Sequence, residues 1–310
     1  MKNIIEFDRH IPDYKNLIEE YKKHLIYSNC TKSTVDTYII ATNKFIEFLE
    51  VPLNELDYIH IIHYKSELQD RLKQKAATIN KKLQALKRFI SYLYNNNYIK
   101  SDMSKNIPFI KIQKQSYAPE GLTYQEINLL LQFAGSNSKQ VLKLRNYTMI
   151  QLLLGTGIRL DELVNLDYRD IIINDRSGHL LVRKGKGDKE RAVLLSSKVR
   201  NSLNIYFDYR VKKYKLDQLN PDDPVIANQS NKRMTPRSVQ KVIKSLADKA
   251  KITRIQVTPH TFRHTFANRY FQSTKDILSL QALLGHEDLN TTGWYAKPTQ
   301  KQLLDSMDLL

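Results

Sequence analysis

The chain has 310 residues, of which 41% are hydrophobic and only 9 are Gly and 9 are Pro, a composition typical of a folded protein with room for two domains. Its 49 Lys and Arg residues outnumber its 32 Asp and Glu residues, and the formal charge of +17 favours a polyanionic partner, above all nucleic acid, over a merely solvated surface. The single cysteine, Cys30, excludes an intrachain disulfide framework and a multi-cysteine metal cluster.

The first ten residues, MKNIIEFDRH, carry Glu6 and Asp8 where a secretory signal peptide needs an unbroken apolar core. No apolar run further along the chain approaches the roughly 18 residues that a membrane-spanning helix requires. We therefore expect a soluble, cytoplasmic protein with no membrane partner.

Amphipathic helices joined by short polar turns are expected over the first third of the chain. In residues 31–50 the apolar side chains repeat at helical spacing behind Ser33 and Thr34, which form a helix start signal. In residues 77–97 a second apolar stripe alternates with basic side chains that we expect to face outward. The outward basic residues are Lys81, Lys82, Lys87 and Arg88.

Positive charge is concentrated between Lys73 and Lys114, where ten basic residues stand against a single acid. Helical periodicity lapses over residues 106–120, a segment that contains two prolines and two lysines. We therefore predict a first domain at residues 1–105, a basic linker at residues 106–120 and a second domain at residues 121–310. The predicted DNA contacts are Lys81, Lys82, Lys87, Arg88, Lys111 and Lys114.

The second domain is expected to be mainly helical with one small antiparallel hairpin. A helix through Tyr147 and Leu154 should break at a Gly-Thr-Gly turn, after which Arg159 lies near the start of another helix. The stretch HLLVRKGKGDKERAVLL predicts two short strands around a glycine-flanked turn that holds Lys186. Helices are expected again from about Thr235 onward.

The stretch TPHTFRH, residues 258–264, predicts a helix start with Thr258 as its cap and a proline at its first position. His260 and Arg263 then lie at i and i+3 near a helix end that attracts anions, so phosphate binding is favoured. Pairing His260 with His264 in a zinc site is disfavoured, because a threonine stands where zinc proteases place a glutamate and an arginine adds a nearby cation. An idle polar helix face is the remaining alternative.

Five motifs follow one another in the second half of the chain: GTGIRLDEL, GKGDKER, PHTFRH, LLGH and a tyrosine nine residues after that last histidine. Their order resembles the tyrosine recombinase (phage integrase) family, and the N-terminal helices are similar in pattern to that family's core-binding domain. The resemblance implies a mainly α fold, with a four-helix-type N-terminal domain before a helical catalytic domain. The catalytic set that it implies is Arg159, Lys186, His260, Arg263, His286 and Tyr295.

Each residue type in this set suits a phosphodiester reaction. Two guanidiniums can clamp the non-bridging oxygens bidentately, so no metal or other cofactor is expected. The phenol of Tyr295 would attack phosphorus and needs a proton acceptor, for which His260 is the candidate. Lys186 would protonate the departing 5′ oxygen, and His286 would add a hydrogen bond to the phosphate.

We therefore expect a site-specific recombinase that acts as a homotetramer on two DNA sites through a covalent 3′-phosphotyrosyl intermediate. Integration, excision, resolution and inversion stay open. A catalytically silent DNA-binding protein of the same fold and a type IB topoisomerase are the alternatives. The tail from Thr299 onward has apolar residues at helical spacing, and it packs either on its own chain or, as the resemblance implies, on a neighbouring protomer.

Overall fold

The computed structural model describes residues 14–112, 117–183, 190–285 and 292–298. The chain divides into two compact units, Met1–Lys114 and Gln115–Leu310, and each has a hydrophobic core of its own. The division falls within the segment that was predicted as a linker. The predicted fold class, mainly α with a small antiparallel sheet, is confirmed.

The N-terminal unit is built on four α-helices in its described part. The largest side chains of its core come from helices distant in sequence, since Tyr21, Phe45 and Phe89 are all fully buried. The rings of Tyr21 and Phe89 lie with their centroids 5.0 Å apart, which joins the first helix to the fourth. The four helices are α1 (Tyr14–Tyr27), α2 (Lys32–Phe48), α3 (Tyr58–Ser66) and α4 (Ala76–Asn95).

Helix α4 carries four of the six predicted DNA contacts. Lys81 is exposed, whereas Lys82, Lys87 and Arg88 are half-buried, because long basic side chains lay their aliphatic stems along apolar surface. Burial lowers the pKa of Lys82, and the neighbouring charge of Lys44 on α2 lowers it further. These two helices therefore present adjacent cations.

The chain that follows α4 is fastened back onto that helix by one side chain. The amide of Asn80 donates to the carbonyl of Ile110 and accepts from the N–H of the same residue, both at 2.8 Å. Ile107 is buried in the N-terminal core, so the described chain up to this point belongs to the first unit. Lys111 lies just beyond and is exposed, while Lys114 lies outside the described residues.

The C-terminal unit surrounds one buried helix. Met149, Ile150, Leu152 and Leu153 of that helix are fully buried, so the polar face that a surface helix would have is missing. The helices are α5 (Tyr124–Ala134), α6 (Gln140–Thr156), α7 (Leu160–Asn165), α8 (Ser197–Tyr214), α9 (Pro236–Lys249), α10 (Pro259–Thr274) and α11 (Ile277–Leu284). The central helix is α6, which packs against α5, α8 and α10.

A small antiparallel sheet lies between α7 and α8 in the sequence. Its strands are β1 (Ile171–Ile173), β2 (Gly178–Val182) and β3 (Arg191–Leu194), in the order β1-β2-β3. Leu180 of the middle strand pairs with Ile171 on one side and with Val193 on the other. The predicted hairpin is therefore β2 and β3, and β1 is an additional strand that the sequence pattern did not reveal.

None of the helices within the described ranges is both long and apolar enough to cross a bilayer.

Candidate active site

A tight turn at the end of α6 delivers Arg159 to the site. Gly157 has a φ of 62°, a left-handed conformation that residues with a Cβ rarely adopt. A Cβ at this position would lie 2.4 Å from Cδ1 of Phe266 on α10, so only glycine permits the two helices to approach this closely. Arg159 follows as the residue that caps the start of α7.

The start of α10 follows the sequence prediction. The hydroxyl of Thr258 accepts a hydrogen bond from the N–H of Thr261, and a proline occupies the first helical position. Among the polar residues of the first two turns, His260 is exposed, His264 is half-buried and Arg263 is buried. The helix therefore points one cation into the protein and keeps one imidazole at the surface.

Arg263 is held by two backbone carbonyls from different parts of the chain. Its guanidinium donates to the carbonyl of Gly157 and to the carbonyl of Leu284, both at 2.7 Å. Burial, together with the nearby charge of Arg159, lowers the pKa of Arg263 to about 10. Arg263 thus remains a cation at neutral pH.

A buried carboxylate joins Arg159 to a third arginine. Oε1 of Glu162 accepts from Nη1 of Arg159 and from Nη1 of Arg191, each at 2.9 Å, and Oε2 accepts from Nη2 of Arg191 at 2.7 Å. Burial by itself would raise the pKa of Glu162, but the hydrogen bonds from Arg191 and from the backbone N–H of Arg159 lower it to about 2. This carboxylate is ionised at neutral pH.

All three arginines also donate hydrogen bonds to backbone carbonyls at the C-terminal end of α11. Arg191 donates to the carbonyl of Leu283, Arg263 to that of Leu284, and Arg159 to that of Gly285. These are three consecutive residues at the end of a helix, where carbonyls lack partners in the helix and the dipole is negative. One helix terminus therefore positions three guanidiniums, including both of those assigned to the phosphate clamp.

Tyr295 lies near the two guanidiniums of the clamp, whose charges act on its phenol. It is buried among Ala267, Leu280 and Leu284, and its hydroxyl is 2.8 Å from Nδ1 of His264. Burial raises the pKa of the phenol, while the charges of Arg263 and Arg159 act in the opposite direction. The phenol is therefore protonated in this state but lies in the field of both guanidiniums.

The predicted catalytic set is partly visible in the structure. Arg159, Arg263 and Tyr295 lie together, and His260 lies at the exposed start of the helix that carries Arg263. Lys186 and His286 lie outside the described residues. In the described ranges no group of three or more His, Cys, Asp or Glu side chains is arranged to hold a metal ion.

Three residues of the site were given no catalytic role on sequence grounds. Glu162 stands three residues after Arg159, the spacing of a helix capping box, which is a local signal for its contact. Arg191 follows the GKGDKE stretch, but its partner is 29 residues away and no local pattern joins them. His264 was considered only as a zinc ligand, and the structure shows its contact with Tyr295 instead.

Comparisons with known proteins agree with this arrangement. A family model described as the phage integrase family matches residues 120–302, and a second, described as a phage integrase N-terminal SAM-like domain, matches residues 17–100. The chain belongs to the phage integrase family. The resemblance inferred from the motif order is thereby confirmed, and it extends over both units.

The curated proteins that are similar to this chain include several named tyrosine recombinase XerC. The protein from Myxococcus xanthus is 31% identical over 300 residues, which cover 94% of this chain and 96% of that protein. The protein from Leptospira interrogans serovar copenhageni is 29% identical over 299 residues, which cover 93% and 92% of the two chains. The similarity therefore extends over almost the entire length of these integrase-family enzymes.

Solved structures of the integrase family share the fold. XerH recombinase bound to palindromic difH substrate, in a post-cleavage complex, aligns with a TM-score of 0.73 and 24% identity over 94% of this chain and 83% of that one. A lambda integrase tetramer bound to a Holliday junction aligns with a TM-score of 0.67 and 18% identity over 91% and 82%. At these identities the likeness is one of fold.

Replacing Glu162 by Gln should destabilise the integrase fold, because two guanidiniums would lose the carboxylate that neutralises them. We expect the free energy of unfolding to fall by about 3 kcal/mol at pH 7, the usual cost of removing one partner of a buried pair. Because the pKa of Glu162 is lowered from 4.5 to about 2, its stabilisation is present above pH 4.5 and is lost as the pH falls toward 2.

Urea unfolding at several pH values measures this effect. The matched control is Asp161→Asn, which removes the same charge from the exposed neighbouring position. The gap between wild type and Glu162→Gln should narrow between pH 5 and pH 2, whereas the control should unfold like wild type. Equal stability of the two variants at pH 7 would show that the carboxylate does not hold the arginines.

Proposed function

We propose that this protein is a site-specific DNA recombinase that cuts and rejoins strands through a covalent 3′-phosphotyrosyl intermediate. The proposal depends on one observation above all. The buried phenol of Tyr295 lies near two guanidiniums of the same chain, and both guanidiniums are held by hydrogen bonds to backbone carbonyls. A protein that only binds DNA would gain nothing from a phenol beside a phosphate clamp. The XerC relatives support this activity.

The reaction assigned to the site balances without an added oxidant or energy source. The Tyr295 oxygen forms a bond to phosphorus, the bond from phosphorus to the 5′ oxygen breaks, and the products are a 3′-phosphotyrosyl enzyme and a free 5′ hydroxyl. Arg159 and Arg263 neutralise charge on the non-bridging oxygens. Attack by a 5′ hydroxyl of the partner strand reverses these steps, so the bond energy is retained.

Proton transfer in this scheme uses the remaining members of the set. His260 takes the proton of the phenol, and its exposed position at the start of α10 allows exchange with solvent. Lys186 gives a proton to the departing 5′ oxygen, because an ammonium loses its proton more readily than a guanidinium. His286 donates a hydrogen bond to the phosphate as charge develops on it.

The proposed substrate is double-stranded DNA with specific recombination sites, bound by a homotetramer on two such sites. The cations of α4, together with Lys111 and Lys114, would contact the backbone phosphates.

The tetramer is supported by membership of the integrase family and by the fold shared with a lambda integrase whose structure is a tetramer bound to a Holliday junction. The tail from Thr299 onward, which lies outside the described residues, is proposed to join neighbouring protomers. The proposed location is the cytoplasm, where such a DNA substrate would be met.

Tyr295→Phe should abolish covalent attachment and leave DNA binding intact, because only the attacking oxygen is removed. The measurement is the yield of protein–DNA adduct on a nicked trapping substrate, alongside a binding assay on intact DNA. Tyr270→Phe is the matched control, since Tyr270 packs in the same cluster but is assigned no chemistry. A normal adduct yield from Tyr295→Phe would exclude this tyrosine as the nucleophile.

Lys186→Ala should slow cleavage of ordinary DNA by ~10² to 10⁴, the usual worth of general acid catalysis. Most of the rate should return when sulfur replaces the bridging 5′ oxygen, because a thiolate leaves without being protonated. Arg159→Ala is the control and should not recover on the sulfur substrate, since the non-bridging oxygens would still lack part of their clamp. Equal losses for Lys186→Ala on both substrates would reject the acid role.

Changing Lys81 and Lys82 together to Ala should weaken DNA binding and make it less sensitive to salt. Each lost phosphate contact lowers the slope of log affinity against log salt concentration by about one unit. The control changes Lys212 and Lys213, two adjacent exposed lysines at the end of α8, to Ala. If both double variants keep the wild-type slope, the cations of α4 do not contact the DNA backbone.

A further inference from the structure

The contact between His264 and Tyr295 has no place in the catalytic set. Nδ1 of His264 lies 2.8 Å from the phenol oxygen, and the two rings lie 5.9 Å apart between centroids at an angle of 50°. Both residues are in the same chain, one on α10 directly after Arg263 and the other in the segment that follows α11. The phenol of Tyr295 is therefore held by a residue outside the predicted catalytic set.

The direction of this hydrogen bond follows from what each neighbour can offer. Arg159 and Arg263, whose charges act on the phenol, can only donate hydrogen bonds, so they favour the lone pairs of its oxygen. A neutral imidazole has one nitrogen that accepts. The O–H of Tyr295 therefore points to His264, and the lone pairs of the oxygen point toward the guanidiniums.

We infer that His264 is a positioning residue, whose Nδ1 accepts the hydroxyl proton of Tyr295 in a hydrogen bond and aims the attacking lone pair at the phosphate clamp of the same chain. This inference rests on the proposed function, because it gives Tyr295 the role of nucleophile. In this role His264 fixes the rotation of the Tyr295 side chain before DNA binds. A nucleophile that is already oriented loses less entropy in reaching the transition state.

The protonation state of His264 suits holding the phenol better than deprotonating it. Burial, together with the neighbouring charges of His260 and Arg263, lowers the pKa of His264 to about 4. The imidazole is thus neutral at neutral pH and its acceptor nitrogen is available. With so low a pKa it is a weak base, so the proton acceptor in the reaction stays the exposed His260.

Two substitutions at this position separate orientation from proton uptake. His264→Asn places an amide oxygen near the position of Nδ1, which keeps an acceptor but removes a base, and His264→Phe keeps an aromatic ring but removes the acceptor. We expect His264→Phe to slow adduct formation on the trapping substrate by about 10- to 100-fold, as misplacement of a reacting group does. His264→Asn should keep most of the wild-type rate, and both variants should bind DNA with the wild-type Kd.

A wild-type rate for His264→Phe would overturn the inference and leave the proposed function intact. The inference also fails if His264→Asn is as slow as His264→Phe, because the imidazole would then be needed as a base. Absence of an adduct from wild type itself would instead refute the proposed function. Thermal unfolding of both variants separates a loss of orientation from a loss of fold.

A measurement without any variant at this position tests the hydrogen bond itself. In the full-length protein with ¹⁵N-labelled histidine, the Nδ1 signal of His264 should have the chemical shift of a non-protonated, hydrogen-bonded nitrogen at pH 7. In Tyr295→Phe this signal should move toward the value of a free acceptor nitrogen. A protonated Nδ1, or a signal that is identical in the two proteins, would overturn the inference even if His264→Phe does not fold.

Discussion

Repulsion among three guanidiniums is the constraint on which the catalytic unit depends. Arg159, Arg191 and Arg263 lie close together where little water can screen them, and their attraction to one helix end must offset that repulsion. The end of α11 supplies three consecutive carbonyls and the negative end of its dipole, and Glu162 supplies one full negative charge. The result is a cationic centre with fewer anions than cations, which suits a site for a phosphate.

Short-range rules of the backbone bring these distant residues together. The left-handed turn at Gly157 presents a carbonyl to Arg263, and the capped start of α10 points that arginine inward. A second left-handed glycine, Gly285, ends α11, and a Cβ there would lie 3.1 Å from Cδ of Arg191. Gly157 thus permits the close approach of Phe266 on α10, and Gly285 leaves room for Arg191 at the helix end.

The parts of this structure that sequence patterns predicted are those with local signals. The cap at Thr258 and the glycine-flanked turn before Arg159 depend on neighbours within a few residues, and both were predictable. The strand Ile171–Ile173 was not, because three apolar residues have neither strand nor helix periodicity. Helix α8 was missed because it buries Ser202 and Arg210 among apolar residues, so its apolar stripe is interrupted.

The long-range contacts of the site have no local signal in the sequence. Glu162 pairs with Arg191, 29 positions away, and His264 contacts Tyr295, 31 positions away, so only the folded chain brings these residues together.

Gly157 has no side chain, yet its place in the structure is as restricted as that of any charged residue in the site. Its backbone conformation, its contact with Phe266 and its carbonyl bond to Arg263 would all be disturbed by a single methyl group. A mutational scan that measures activity alone would therefore rank this glycine with the residues that perform the chemistry. Loss of activity at a position is evidence of participation in the reaction only when the geometry around that position has been taken into account.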